Sequence, residues 1–166
     1  LDHAQLLEQR GAAARADSLL ANMHELLCQQ ANRPTPLLGR IDLRRGRLAL
    51  CVGQEERAAE FFQRGLDDCL HSHDKRVLYG FLGLAQLAAN QGDYAQAFVR
   101  LRDAERLMQQ RQIPDTVYRG VLLQLSSHFW LQQGRAELAC EALSRVLNHY
   151  RGPRSRQAPP ATLELI

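Results

Sequence analysis

Three side chains with metal-binding chemistry crowd into CLHSHD, residues 69–74: Cys69, His71 and His73. A structural zinc site takes four ligands at characteristic Cys–Cys and His–His spacings, and this segment has none of them. It falls where a helix is expected to end, and there histidines meet the exposed carbonyls of the last turn. No metal is therefore expected. His24 and His128 are each candidate bases for a cysteine nucleophile, and Asp67 with Asp68 is a candidate carboxylate pair. Nucleophilic catalysis needs nucleophile, base and an orienting group within reach of one another, and no spacing here supplies all three. Adjacent aspartates point in different directions on a helix. The chain is expected not to be an enzyme and to hold no cofactor.

The totals narrow the classes further. With 166 residues, 45% of them hydrophobic, the chain suffices for one domain with a real core. A net charge of +3, spread along the chain, does not demand a nucleic-acid surface. Cys28, Cys51, Cys69 and Cys140 form no CxxC pair and follow no signal peptide, so buried reduced thiols in a cytoplasmic protein are expected. The longest apolar stretch, residues 77–89, falls short of the ~20 residues of a membrane helix. Residues 151–166, RGPRSRQAPPATLELI, read as a basic, proline-containing linker, and the chain reads as a piece of a longer one.

What organises the chain is a repeat. Gly11, Ala16 and Leu20 are echoed by Gly53, Ala58 and Phe62, by Gly92, Ala97 and Leu101, and by Gly134, Ala139 and Leu143. The glycines stand 42, 39 and 42 residues apart. Glycine just past a helix takes up a left-handed cap without strain and lets the chain reverse. An alanine five residues later allows two helix axes to approach, and the large residue on the same face fills the groove beside it. Thr35–Pro36, Asp93 with Gln96, and Pro114–Asp115 mark helix starts where the repeat needs them. The expected architecture is all-α: hairpins at about 2–30, 36–71, 75–110 and 114–150, stacked as an open right-handed α-superhelix, because a lone hairpin leaves an apolar face in water.

These residues resemble the tetratricopeptide repeat (TPR), whose small residues surround a turn glycine. Gly46, Ala58 and Gly65 take those places in the second hairpin, and Ala85, Ala97 and Ala104 in the third. Ser127, Ala139 and Val146 fit less well in the fourth; the first has Ala4 and Ala16 but Met23. The period of about 40 exceeds the usual ~34 residues. That longer, arginine- and leucine-rich form, with text such as ANQGDYAQAFVRLRDAERL, looks like the superhelical domain of the bacterial transcription activators related to MalT, over roughly residues 2–150. The resemblance implies a nucleotide-binding module before the superhelix and a LuxR-type helix-turn-helix after it. ATP and DNA are thus expected only in parts outside this chain; no G-x-x-x-x-G-K-[ST] occurs in it.

The first helix of each hairpin is expected to line the concave wall. Counting back from the turn glycines gives Arg40, Tyr79 and Val121, then Arg47, Gln86 and His128, then Cys51, Asn90 and Gln132, with Gln124 beside them. Arginine offers a fork to carboxylate or phosphate, and the amides offer hydrogen bonds to a peptide or small polar effector. Two functions fit: the effector- or partner-sensing domain of a MalT-like regulator, or a stand-alone adaptor holding a peptide or protein helix. Exposed repeat ends tend to pair, so a homodimer is within expectation. Trp130 is expected to pack in the core.

Overall fold

A computed structural model describes Ala4 and residues 11–30 and 35–151. Among them all regular structure is helical, with no strand. The helices are α1 (Ala13–Gln30), α2 (Pro36–Cys51), α3 (Glu55–His71), α4 (Val77–Asn90), α5 (Tyr94–Gln110), α6 (Asp115–Gln132) and α7 (Ala136–Arg151). The all-α expectation is met. The proposed first helix before Gly11, apart from Ala4, and the linker beyond Arg151 lie outside the described residues. No helix among those described is long and apolar enough to cross a membrane. The chain divides into two compact units, residues 1–87 and 88–166, with the boundary inside α4.

Helix ends show why the glycines sit where they do. Gly11, Gly53, Gly92 and Gly134 have φ of +72°, +75°, +80° and +73°. After α4, the Gly92 N–H donates to the Ala89 carbonyl at 3.0 Å and the Asp93 N–H to the Ala88 carbonyl at 2.9 Å, so two carbonyls left over by the helix are satisfied. The Asp93 carboxylate then accepts from the Gln96 N–H at 2.9 Å and caps α5. Thr35 sits at the N-cap of α2 before Pro36, but its side chain makes no capping bond.

Two further turns use the same left-handed cap without glycine, at His73 (φ 54°) after α3 and Gln112 (φ 51°) after α5. A side chain in this region crowds its own backbone. Replacing His73 by glycine is expected to raise stability by ~0.5 kcal/mol, the relief of strain exceeding the entropy that glycine adds to the unfolded chain. Gly92→Ala should act oppositely, costing ~1 kcal/mol through backbone strain alone, because no neighbour lies within 4 Å of the added methyl. Chemical denaturation of the two variants measures both signs.

The repeat alanines are fully enclosed: Ala16, Ala58, Ala97 and Ala139 are all 0% exposed. In residues 1–87, α1 lays Ala16 and Leu20 against Ile41 and Leu48 of α2. Helices α2 and α3 meet so closely that a methyl on Gly65 would lie 2.8 Å from the Gly39 carbonyl oxygen. The Phe62 ring of α3 occupies the space left by Gly46 of α2 and Gly83 of α4. In residues 88–166, Phe129 is fully buried and meets Phe98 edge-on at 5.9 Å. Trp130 is half-buried, its ring centroid 4.3 Å from that of Phe98.

The fourth large apolar position departs from the pattern. Leu20, Phe62 and Leu101 are buried, whereas Leu143 is 40% exposed. Leu20 is covered by α2, the next helix in the chain; no described helix follows α7 to cover Leu143. The cysteines also depart from expectation. Only Cys69 is buried; Cys28, Cys51 and Cys140 are exposed on outward helix faces, and all four are free thiols.

Candidate functional site

The eight wall residues fall on three helices: Arg40 and Arg47 on α2, Tyr79, Gln86 and Asn90 on α4, and Gln124, His128 and Gln132 on α6. Arg47, Tyr79, Gln86, Gln124 and His128 are half-buried, Asn90 and Gln132 exposed. Arg40 is engaged internally: its Nε donates to Asp74 Oδ2 at 2.5 Å. Asp74 also accepts from the Arg76 N–H at 2.9 Å, so this carboxylate ties α2 to the turn that opens α4. Burial would raise the Asp74 carboxyl, but the Arg76 N–H and the Arg40 guanidinium outweigh it and hold it below the ordinary carboxylate value. Its stabilisation is accordingly present above that value and lost as pH falls through the lowered one.

The CLHSHD segment closes α3. His71 Nδ1 lies 2.7 Å from the Asp67 carbonyl oxygen and His73 Nδ1 3.3 Å from that of His71. Cys69 is buried, and its thiol is pushed up to about 11, first by burial and then by Asp74 and Asp68. The two aspartates diverge. Asp67 is exposed and accepts from Gln63 Nε2 at 3.1 Å, while Asp68 is half-buried and raised by that burial.

Sequence reasoning missed a buried polar cluster in residues 1–87. Asp42 is 1% exposed in the middle of α2. Arg64 Nε of α3 lies 3.3 Å from its Oδ2, and His24 Nε2 of α1 lies 3.6 Å from the same oxygen. One buried carboxylate thus joins three helices. The signal was present: Asp42 stands on the same helical stripe as Leu38, Gly46 and Ala49, all buried. Beside it, Asp17 of α1 accepts from Arg45 Nε at 2.8 Å and lies 3.7 Å from Arg57. Arg45, Arg64 and Arg57 crowd the Phe61 ring at 4.3, 5.0 and 5.8 Å from its centroid. A cleft of about 340 Å³ opens there, with Asp17, Ser18, Leu48, Arg57 and Phe61 in its lining. None of the eight wall residues lines it, nor the cleft of about 320 Å³ beside Phe98 and Trp130.

Burial raises the Asp42 carboxyl, opposed by Arg64, then His24, then Arg45. The native state therefore binds this proton more tightly than the unfolded chain. Stability falls as pH rises from the ordinary carboxylate value through the raised one. Arg64→Ala removes the largest opposing charge and pushes the carboxyl higher. Such a variant should lose ~1–2 kcal/mol at neutral pH, less than a fully buried pair because Arg64 itself reaches solvent, and recover most of it in acid. Urea unfolding across pH measures the recovery; a loss independent of pH would place the role of Arg64 in packing.

No protein-family model matches the chain, and no curated protein sequence matches it.

Proposed function

We propose that the chain is the effector- or partner-sensing regulatory domain of a MalT-like, LuxR-type transcription regulator, acting in the cytoplasm. In this reading its hairpins stack as a right-handed TPR-like superhelix, and the concave face holds a protein partner or a small polar effector. One observation carries it. Glycines 42, 39 and 42 residues apart all have a left-handed φ, and each is followed five residues later by an alanine with no exposed surface. Like turns at nearly equal intervals are what a stacked hairpin array requires.

Arg47, Gln86 and His128 hold the same place before their turn glycines, one per hairpin, and a guanidinium, an amide and an imidazole are side-chain types that bind polar ligands. Arg40 contributes less to such a wall, since Asp74 already occupies its guanidinium.

The gene encoding this chain tests the reading directly. It is expected to begin with a nucleotide-binding module and to run into a helix-turn-helix; a gene with neither overturns the regulator and leaves the adaptor. Affinity capture on the immobilised chain tests the surface. A ligand retained by the unaltered chain should be lost when Arg47 and His128 are both changed to alanine, and retention by that variant would remove the wall from the site.

A further inference from the structure

The imidazole of His24 faces two groups at once. Its Nδ1 lies 3.6 Å from Cys28 Sγ, one helical turn further along α1, and its Nε2 lies 3.6 Å from Asp42 Oδ2. Asp42 is 1% exposed, and Arg64 Nε lies 3.3 Å from the same oxygen. Cys28 is exposed, and His24 is 25% exposed at its side chain. An accessible sulfur, a base in contact with it and a buried carboxylate behind the base are the three parts that activate a nucleophile. Linear spacing hid the third part, because Asp42 reaches His24 from the next helix.

We propose that Cys28 is a covalent modification site whose thiol is activated by His24, with Asp42 as the positioning residue, and that it exchanges with low-molecular-weight disulfides.

The chemistry balances with these groups alone. His24 takes the thiol proton, and Cys28 Sγ attacks one sulfur of the disulfide. The new S–S bond forms as the old one breaks. The departing thiolate takes the proton back from the imidazolium, so Cys28 is oxidised and the released thiol is the reduced product. Asp42 favours the imidazolium while it exists.

The setting selects this partner class. Cys28 is exposed and is not in the lining of either of the two clefts above, so the described residues leave its sulfur accessible to a bulky tripeptide disulfide. Its place in the last turn of α1 does nothing for a sulfur anion, because helix C-terminal carbonyls repel it; the activation must come from His24. The other cysteines supply controls. Cys51 and Cys140 are exposed, and among the described residues no imidazole contacts either sulfur. Cys69 is buried.

The experiment incubates the whole chain with oxidised glutathione and follows each cysteine by peptide mass. Cys28 should form the mixed disulfide about tenfold faster or more than Cys51 and Cys140, with Cys69 silent. His24→Gln should bring Cys28 down to the rate of the two exposed controls, and Asp42→Asn should bring it part of the way. Unchanged rates at Cys51 and Cys140, and continued silence of Cys69, report that each variant is folded. Equal rates at Cys28, Cys51 and Cys140 in the unaltered chain overturn the proposal without any variant. A fast Cys28 that survives His24→Gln in a folded protein overturns it as well.

Discussion

Phe62→Ala is expected to destabilise residues 1–87 by about 3–5 kcal/mol, at the upper end for a buried aromatic. The ring is 2% exposed, and two of the positions around it are glycines. A methyl at Gly46 would lie 2.8 Å from the Phe62 ring, and one at Gly83 would lie 2.3 Å from it. The cavity left by the ring is therefore walled by backbone, which moves only if whole helices move, so little of it collapses. A second substitution gives the argument its sharpest form. In the unaltered chain Gly83→Ala overlaps the ring and must destabilise; in the Phe62→Ala background the same methyl enters empty space and should restore ~1 kcal/mol. Denaturant unfolding of the four-member cycle measures the inversion. An additive cycle would mean that α4 does not hold Gly83 against Phe62.

The second large effect belongs to Gly65→Ala. In an exposed helix this change gains up to ~1 kcal/mol from propensity alone. Here the added methyl would meet the Gly39 carbonyl oxygen, the Leu43 N–H nitrogen and the Leu43 side chain, each at 2.8 Å. Two of those three atoms are backbone, so the overlap is relieved by separating α2 from α3 rather than by turning a side chain. Separation loosens Leu43, Leu66 and Cys69, all buried at this crossing. Steric cost outweighs propensity, and a net loss of ~2 kcal/mol is expected. Gly39→Ala should act alike, since its methyl would meet the Cys69 backbone nitrogen at 3.1 Å and the Asp68 and Cys69 side chains closer still. Thermal unfolding of the two variants checks this; a rise in midpoint for either would show that the helices are not in backbone contact.

These variants separate architecture from function. Phe62 and Gly65 act on stability alone, whereas the reactivity test at Cys28 reads chemistry in a protein that remains folded. Arg64→Ala lies between them, because it disturbs the Asp42 carboxylate on which His24 leans.

Much of the local structure is legible in the sequence. Four glycines at intervals of 42, 39 and 42 residues located the turns, since only glycine enters the left-handed region freely, and the alanines five residues on located fully buried positions. The caps at His73 and Gln112 were illegible because nothing in a histidine or glutamine announces a positive φ. Leu143 was misjudged because its burial depends on whether another helix lies over α7, and periodicity says which face a residue takes but not whether the face is covered. The same limit applies to Cys28, Cys51 and Cys140.

The sequence by itself determined the helical class, the turn positions and the small residues that let helices approach, all of which rest on interactions within a few residues of chain or on the size of one side chain. Only the tertiary structure decided that Asp42 on α2 would meet His24 from α1 and Arg64 from α3, that His24 would in turn touch Cys28, and that Arg40 would be spent on Asp74. Those partners stand 18, 22 and 34 residues apart, except for the one-turn step from His24 to Cys28. A buried charge takes whatever counter-charge folding brings within a few ångströms, and that choice is made by packing across helices rather than by spacing along one.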